Sequence, residues 1–259
     1  MNEPSSPTDF RKGMIGRRLK RIGRVVLVLS GKGGVGKSVI SAALAEILAM
    51  EGFRVGLLDA DVYGPSSALI FGVHAFPKEQ EEGLVPPTSS GVKLMSVDLF
   101  ASGRPVPITG PATIQVLTEI LALTDWGELD YLLVDMPPAT GDIMMFITSL
   151  GKRKSTALVV SMSDRLSTSV SRRVLTLLRS ERFRVIGILG NMERVGVHTP
   201  KGTSSLDALA EASGVPLLGV LPFDEDVTTA VEKGDIDSLV RTRFAEVLKA
   251  SVSRHIGRS

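Results

Sequence analysis

Residues 31–38 read GKGGVGKS and fill the pattern G-x-x-x-x-G-K-[ST]. An apolar run precedes this octapeptide, and the residues after it, from Val39 to Leu48, place apolar side chains at helical spacing. A buried strand, a glycine-rich turn and an amphipathic helix in this order form a loop that binds phosphate. The octapeptide therefore predicts an α/β fold that presents this loop beyond the carboxyl ends of its strands.

Each residue type in this loop has a physical role. The glycines let the backbone curl tightly, so that successive N–H groups point at phosphate oxygens, and the following helix adds its positive end. Lys37 is expected to reach the β and γ phosphates, and the hydroxyl of Ser38 to complete the shell of a magnesium ion. The residues predicted to bind the nucleotide here are Gly31, Lys32, Gly33, Gly34, Val35, Gly36, Lys37, Ser38 and Val39.

Short runs rich in Val, Leu and Ile recur along the chain with helical patterns between them. This rhythm predicts a single α/β domain with a mostly parallel central sheet flanked by helices on both faces. The segment 73–91, rich in Pro, Gly and Glu, predicts an excursion loop or a short hairpin. The predicted strands are Val25–Ser30, Val55–Asp59, Leu94–Asp98, Tyr131–Asp135, Ala157–Ser161, Arg184–Gly190 and Leu217–Val220.

The net charge is only +2, but basic residues crowd both ends of the chain. We interpret residues 1–24 as a basic N-terminal segment and residues 25–259 as the domain, which ends in an amphipathic helix from Ser238 onward. Such charge runs are solvated surface or contact an anionic partner, either nucleic acid or a membrane surface. The first ten residues lack the order of a secretory signal, so a cytoplasmic location is expected.

Three aspartates follow predicted strands close to the loop. Asp59 ends one apolar run, Asp61 comes two residues later, and Asp135 ends the run LDYLLVD. Because ligands bind beyond the carboxyl ends of strands in open α/β sheets, these carboxylates are candidates for the site. Asp135 looks like the Walker B carboxylate, which holds magnesium through a water. A helix N-cap is the alternative interpretation of Asp59.

The loop carries a second lysine, Lys32, beyond the one that phosphate binding requires. It resembles the signature lysine of the deviant Walker A loop, xKGGxxK[ST], of the MinD/ParA superclass of P-loop ATPases. The resemblance implies an ATP-dependent homodimer in which Lys32 contacts the nucleotide of the partner subunit. Arginine fingers that deliver a cation in this way are worth about 10³ to 10⁵ in rate. A Lys32 that faces solvent is the alternative.

The same resemblance implies roles for the second-strand acids. Asp61 positions or polarises the attacking water, so that Lys32, Lys37 and Asp61 form the catalytic set. Asp59 lies nearer the metal. The implied cofactors are ATP or ADP with Mg²⁺, and the residues implied around the metal are Ser38, Asp59 and Asp135.

Several stretches together are similar to the Mrp/ApbC-type ATPases, known as iron–sulfur cluster carriers. These stretches are VLSGKGGVGKS, GLLDADVYGPS, WGELDYLLVDMPPATGD, GILGNM and GVPLLGVLPFDEDV. The resemblance implies that Asn191 binds the adenine through its side-chain amide and that the backbone near Pro222 flanks the base. The alternative is that Asn191 occupies a turn and does not bind the nucleotide.

One feature of that family is missing from this sequence. Typical members carry a Cys-x-x-Cys pair that begins six residues after the asparagine, and two subunits share a cluster through it. Here Val197 and Pro200 stand at those positions, and the sequence contains no cysteine. We therefore expect no iron–sulfur cluster ligated by cysteine of this chain. His198 lies between the two positions and is interpreted as a loop histidine in preference to a metal ligand.

Three functions remain compatible with the sequence. The first is an Mrp-type ATPase that acts in iron–sulfur assembly with an assembly partner or an apo-protein client. The second is a MinD- or ParA-like positioning ATPase on a membrane or on DNA. The third is a nucleotide-gated scaffold with little turnover. We favour the first, with slow hydrolysis of ATP to ADP and phosphate.

Overall fold

The chain alternates strands and helices in the order that a parallel sheet requires. The computed structural model describes residues 7–101, 111–138, 143–193 and 204–256. The strands are β1 (Ile22–Ser30), β2 (Val55–Asp59), β3 (Lys78–Gln80), β4 (Gly83–Val85), β5 (Thr88–Ser89), β6 (Val92–Ser96), β7 (Leu129–Asp135), β8 (Ser155–Ser161), β9 (Arg184–Glu193) and β10 (Leu217–Pro222). The helices are α1 (Pro7–Lys20), α2 (Lys37–Met50), α3 (Ser67–Ile70), α4 (Asp98–Ala101), α5 (Pro111–Leu123), α6 (Ile143–Ser149), α7 (Arg165–Ser180), α8 (Ser205–Ser213), α9 (Glu225–Lys233), α10 (Ile236–Leu239) and α11 (Arg243–Val252).

Eight strands form one sheet in the order β10-β9-β8-β1-β7-β2-β6-β5. All neighbours in this sheet are parallel except β5, which pairs antiparallel with β6. β3 and β4 form a separate antiparallel hairpin within the segment for which the sequence predicted an excursion. The α/β prediction with a mostly parallel central sheet is thereby confirmed. β1 lies in the interior between β7 and β8, so the loop after it starts from the middle of the sheet.

Both faces of the sheet are covered, which explains the nearly continuous apolar strands. Val26 and Val28 of β1 pack into one core, together with residues of α2 and α11. Val25 and Leu27 point to the opposite core, which α1, α5 and α7 complete. Successive side chains of a strand alternate between faces, so β1 contributes to both cores at once.

The described part of the basic N-terminal segment, residues 7–24, belongs to the folded domain. Helix α1 packs against α5, and its Ile15 and Leu19 are buried. β1 begins at Ile22, so the predicted boundary between residues 24 and 25 is wrong and falls inside a central strand. The error arose because Gly23 and Arg24 interrupt the apolar run, although both lie within β1 and Arg24 pairs with Tyr131 of β7.

The C-terminal apolar stripe is used inside the domain. Phe244, Leu248 and Val252 of α11 are buried against β10 and α2. The predicted continuous helix from Ser238 is wrong, because α10 ends at Leu239 and Thr242 caps a new helix by accepting from the Ala245 N–H. Within the described ranges, no helix has both the length and the apolarity that crossing a bilayer requires.

One predicted strand is displaced. The sequence predicted a strand over Leu94–Asp98, whereas β6 spans Val92–Ser96 and Asp98 begins α4. The hydroxyl of Ser96 accepts a hydrogen bond from the Asp98 N–H at 3.2 Å, which turns the chain out of the sheet. β2 occupies the predicted bounds, Val55–Asp59.

Candidate functional site

Three strand ends meet at the carboxyl edge of the sheet. In the parallel register Val28 of β1 lies opposite Asp135 of β7, and Asp135 lies opposite Asp59 of β2. The glycine-rich loop leaves β1 at the same edge and leads into α2 at Lys37. The predicted loop and two of the three predicted carboxylates are therefore adjacent because the strand register aligns them.

The loop holds a conformation that depends on glycine. Gly34 and Gly36 have φ values of 75° and 80°, in the left-handed region that other residues rarely adopt. Gly36 is the N-cap of α2 and supplies no side-chain cap, which leaves the first N–H groups of the helix available to an anion. The Asn191 amide donates to the Val35 carbonyl at 2.8 Å and so ties the loop to β9.

Lys37 makes an ion pair inside the site. Its Nζ lies 2.6 Å from Oδ1 of Asp135, and the side chain of Lys37 is only 7% exposed. The hydroxyl of Ser41, one helical turn along α2, donates to the same oxygen at 3.0 Å. The other oxygen of Asp135, Oδ2, is buried and has no hydrogen-bond partner among the described residues. An unsatisfied buried carboxylate oxygen is costly unless a ligand uses it.

The donor set around Asp135 fits a magnesium ion bound together with phosphates. The Ser38 hydroxyl lies 3.5 Å from Lys37 Nζ, the group that pairs with Asp135. No group of three or more His, Asp or Glu side chains that could hold a metal occurs in the ranges that the structure describes. Magnesium keeps waters and phosphate oxygens in its shell and needs only one or two protein ligands. Ser38 and the free oxygen of Asp135 supply that number.

Asp59 is fully buried and organises the chain that follows it. Its Oδ2 accepts from the N–H groups of Ser66 and Ser67, both at 2.9 Å, and its Oδ1 accepts from the Asp61 N–H at 3.1 Å. Burial, and then the charge of Asp135, raises the pKa of Asp59 to about 7. The cap-like alternative for Asp59 therefore has structural support, and its role near the metal stays a prediction.

Asp61 lies at the rim of the site and is half-buried. Its Oδ1 accepts from the Gly64 N–H at 3.3 Å, so its carboxylate is held by the turn that begins there. In the same turn the hydroxyl of Tyr63 lies 2.9 Å from that of Thr113 while most of the Tyr63 side chain is exposed. Asp61 thus stands on a local segment that Asp59 anchors.

Lys32 is placed apart from the other lysine of the loop. Its Nζ lies 3.6 Å from Oδ2 of Asp164, the residue that caps α7 by accepting from the Ser167 N–H at 2.9 Å. The side chain of Lys32 is one third exposed. Lys32 and Lys37 therefore diverge, and the loop presents one buried cation and one surface cation.

A pocket beside the loop is lined by the two residues predicted at the base, Asn191 and Pro222, and by two residues predicted to bind the nucleotide, Gly36 and Val39. Met192, next to Asn191, has φ 59°, which is uncommon for a residue with a side chain and lies where the pairing of β9 with β10 is irregular. The additional lining residues are Met192, Phe223, Asp224, Val227, Thr228 and Phe244.

Sequence reasoning missed several of these groups. Ser41 could have been found, because it lies four residues after Lys37 and thus on the same helical face. Asp164 comes three residues after β8 ends, near the edge where Asp59 and Asp135 end their strands, and this position was a usable signal. The base-pocket residues come from β10, α9 and α11, and nothing local in the sequence associates them with the loop. Val197, His198 and Pro200 lie outside the described residues.

Comparison with known proteins places this site in a family. Residues 21–255 match a family model described as NUBPL iron-transfer P-loop NTPase, in the ParA group. An iron–sulfur cluster carrier protein of Clostridium perfringens is 35% identical over 242 residues, which are 87% of this chain and 85% of the relative. The protein of that name from Aquifex aeolicus is 32% identical over 247 residues, 92% of this chain and 67% of the relative. For the Mycobacterium bovis protein the chain spans 58% of the relative's length.

Solved structures agree with the fold. A nucleotide-binding protein of Archaeoglobus fulgidus in complex with ADP is 32% identical, with a TM-score of 0.72 over 87% of this chain and 92% of that one. The cell division ATPase MinD of Pyrococcus furiosus has a TM-score of 0.66 over 89% of this chain and 97% of its own, at 21% identity. At that identity the second likeness concerns the fold alone.

Proposed function

Because the chain belongs to the NUBPL iron-transfer P-loop NTPase family, we propose that it is a magnesium-dependent switch ATPase that works as a homodimer in iron–sulfur cluster assembly. The observation that carries this proposal is the buried pair of Lys37 and Asp135 beneath a complete phosphate loop. The pair places the ammonium group of Lys37 where the β and γ phosphates would bind and the carboxylate of Asp135 where their metal would bind.

The residues of this chain divide the chemistry between them. Lys37 leaves Asp135 and contacts the phosphates, while the N–H groups of the loop and of α2 donate to phosphate oxygens. Ser38 and Asp135 would hold the magnesium ion, which neutralises charge on the transferring phosphoryl group. Asp61 orients the attacking water from the rim of the site. The Asn191 amide nitrogen is bonded to Val35, so its carbonyl oxygen is the atom that contacts the base.

The proposed change between monomer and ATP-bound dimer depends on Lys32. In the single chain this lysine pairs with Asp164, and both side chains are partly exposed, so the pair is weak and easily exchanged. In the ATP-bound homodimer Lys32 leaves Asp164 and contacts the nucleotide of the partner subunit. Dimer closure and hydrolysis then require ATP, and release of phosphate returns Lys32 to its own chain.

The iron–sulfur role is proposed from the relatives, which are named iron–sulfur cluster carrier proteins. This sequence contains no cysteine, so the thiolates of a cluster would come from an assembly partner or an apo-protein client. The ATP-driven dimer would then act on that partner without holding the cluster through its own side chains.

The experiment is light scattering of the purified protein with Mg-ADP and with Mg-ATP, while phosphate release is followed. We expect a monomer with ADP, a dimer with ATP and slow release. The Lys37→Ala variant should show neither ATP-dependent change. An ATP-dependent dimer without phosphate release would favour the nucleotide-gated scaffold, and a size indifferent to nucleotide would contradict the in-trans role of Lys32.

A further inference from the structure

Positive charge is concentrated in one region of the chain outside the phosphate loop. Residues 152–184 contain nine basic and two acidic side chains, a net charge of +7 in a chain whose total is +2. The rest of the chain is therefore net acidic. The basic residues of this region are Lys152, Arg153, Lys154, Arg165, Arg172, Arg173, Arg179, Arg182 and Arg184.

Both acids of the region already have partners, whereas its arginines do not. Asp164 pairs with Lys32, and Glu181 pairs with Lys152 at 3.0 Å. No ion pair within the described part of the chain involves any of the seven arginines from Arg153 to Arg184. By contrast, Arg18 and Arg54, elsewhere on the surface, each contact a carboxylate at 2.9 Å or less. Described carboxylates therefore do not neutralise the arginines of this region, and what distinguishes the region is its concentration of positive charge.

The arginines of α7 form a straight row. The helix buries Val174, Leu175 and Leu178 against the sheet, so its outer face is polar. Arg165, Arg172 and Arg179 follow one another at seven-residue intervals, which places them about 10.5 Å apart along one side of the helix. The exposed residues between them on this side are Ser169, Arg173 and Thr176.

The row continues beyond the C-terminal end of α7. Lys152 donates to the Glu181 carbonyl at 2.8 Å, so the turn 152–154 lies beside this end of the helix. Lys154 in turn donates to the carbonyls of Leu19 at 3.0 Å and Ile22 at 2.6 Å. The basic surface therefore extends from α7 to the end of α1, whose last turn contains Arg17, Arg18 and Lys20.

We propose that the outer face of α7 together with the turn 152–154 binds duplex DNA through its phosphates, without sequence preference. Guanidinium groups and hydroxyls are the side-chain groups that most often contact phosphate, and a duplex offers a regular line of charge to a straight row of arginines. Proteins that bind single-stranded nucleic acid stack its bases on aromatic side chains. The exposed row contains no aromatic residue, which favours a duplex over a single strand.

Other polyanions fit this surface less well. The apolar side of α7 is already buried in the sheet and is not available for insertion into a bilayer. Interfaces between proteins have an apolar centre. Leu166 is the one exposed large apolar side chain on the described part of α7, so this face offers little for the centre of an interface with an acidic protein.

The test is fluorescence anisotropy with a labelled duplex of about 30 base pairs over a series of salt concentrations. About four phosphate contacts predict a slope near −3.6 in log K against log salt. The triple variant Arg172→Gln, Arg173→Gln, Arg179→Gln should bind at least about tenfold more weakly and show a shallower slope. The matched control, Arg241→Gln, Arg243→Gln, Arg254→Gln, removes the same charge from exposed arginines of the C-terminal region and should bind nearly as the native protein does.

Three outcomes would overturn the proposal. Equal weakening in both triple variants would mean that binding follows net charge and not this surface. Binding to vesicles of about half phosphatidylglycerol, with no binding to the duplex, would identify a membrane surface. Tighter binding to an RNA duplex of the same length than to DNA would identify the other nucleic acid. Unchanged melting temperatures of both variants would verify that loss of binding is not loss of fold.

Discussion

The ammonium group of Lys32 lies 3.6 Å from Oδ2 of Asp164 in the same chain. Asp164 also caps α7, so the pair connects the phosphate loop to the helix that follows β8. Side chains that are one third or more exposed form pairs worth at most about 1 kcal/mol. The contact is therefore strong enough to bias the position of Lys32 and weak enough for a bound nucleotide to compete with it.

Asp164→Asn tests this bias. Asparagine caps helices as well as aspartate does, so α7 should keep its start while Lys32 loses its partner. We expect the ATP-dependent dimer to form up to about 30-fold more tightly, because each of the two subunits no longer has to break an exposed pair worth at most about 1 kcal/mol. Sedimentation at fixed Mg-ATP measures the dimer dissociation constant.

The matched control for this change is Asp235→Asn. Asp235 caps α10 by accepting from the Ser238 N–H at 3.0 Å, and no lysine of the loop contacts it. Its substitution should leave the dimer unchanged. A dimer that forms no more tightly in Asp164→Asn than in the control would mean that the pair does not restrain Lys32.

Lys37→Met should abolish nucleotide binding and also destabilise the protein. Removing the cation leaves Asp135 buried without its partner, a change that costs about 3 to 5 kcal/mol when one member of a buried pair is lost. Adding Asp135→Asn should recover most of this stability without restoring binding. Urea unfolding and ATP titration separate the two effects, and a Lys37→Met variant that still binds ATP tightly would reject the site.

The sequence predicted the parts of this site that are contiguous in the chain. The phosphate loop, β2 and the ends of β2 and β7 could be read because parallel central strands are unbroken apolar runs that stop at polar residues. Each of these patterns can be located from neighbouring residues alone, without knowledge of the tertiary structure. The adjacency of Asp59 and Asp135 also followed, because parallel strands end at one edge.

Contacts between distant segments could not be read in this way. The pairs Lys32–Asp164 and Asn191–Val35 join residues more than 130 positions apart, and no periodicity encodes such partners. Helix α1 was interpreted as a basic segment because its charged residues outnumber the few apolar ones, such as Ile15, that attach it to the core. Tertiary packing decided these features.

Asp61→Asn should keep ATP binding and slow its hydrolysis. The carboxylate stands at the rim and makes no contact with Lys37, so the phosphate loop should remain intact. Loss of a group that orients or polarises the attacking water typically lowers the rate by about 10² to 10⁴. Single-turnover phosphate release measures the change, and an ATP-bound dimer should accumulate. Release at the native rate would contradict the role of Asp61.

Stability should fall as pH rises from about 4.5 to about 7, and Glu46 should be one cause. This residue of α2 is 3% exposed, and its Oε2 has no hydrogen-bond partner within the described ranges. Burial, and then the charge of Asp237, raises the pKa of Glu46 from 4.5 to about 7. Between these two pH values the folded state keeps a proton that the unfolded state has already released, so stability falls across this interval and levels off above about pH 7.

Glu46→Gln removes this dependence because a neutral amide replaces the carboxyl group. The variant should match the native protein near pH 5 and exceed its stability near pH 8.5 by about 2 kcal/mol. Asp59, whose pKa is also raised to about 7, leaves a residual decline in the variant. The control is Glu51→Gln, at the end of the same helix, where the carboxylate pairs with Lys249 at 3.0 Å on the surface. A stability difference between Glu46→Gln and the native protein that is equal at both pH values would show that Glu46 does not titrate in this range.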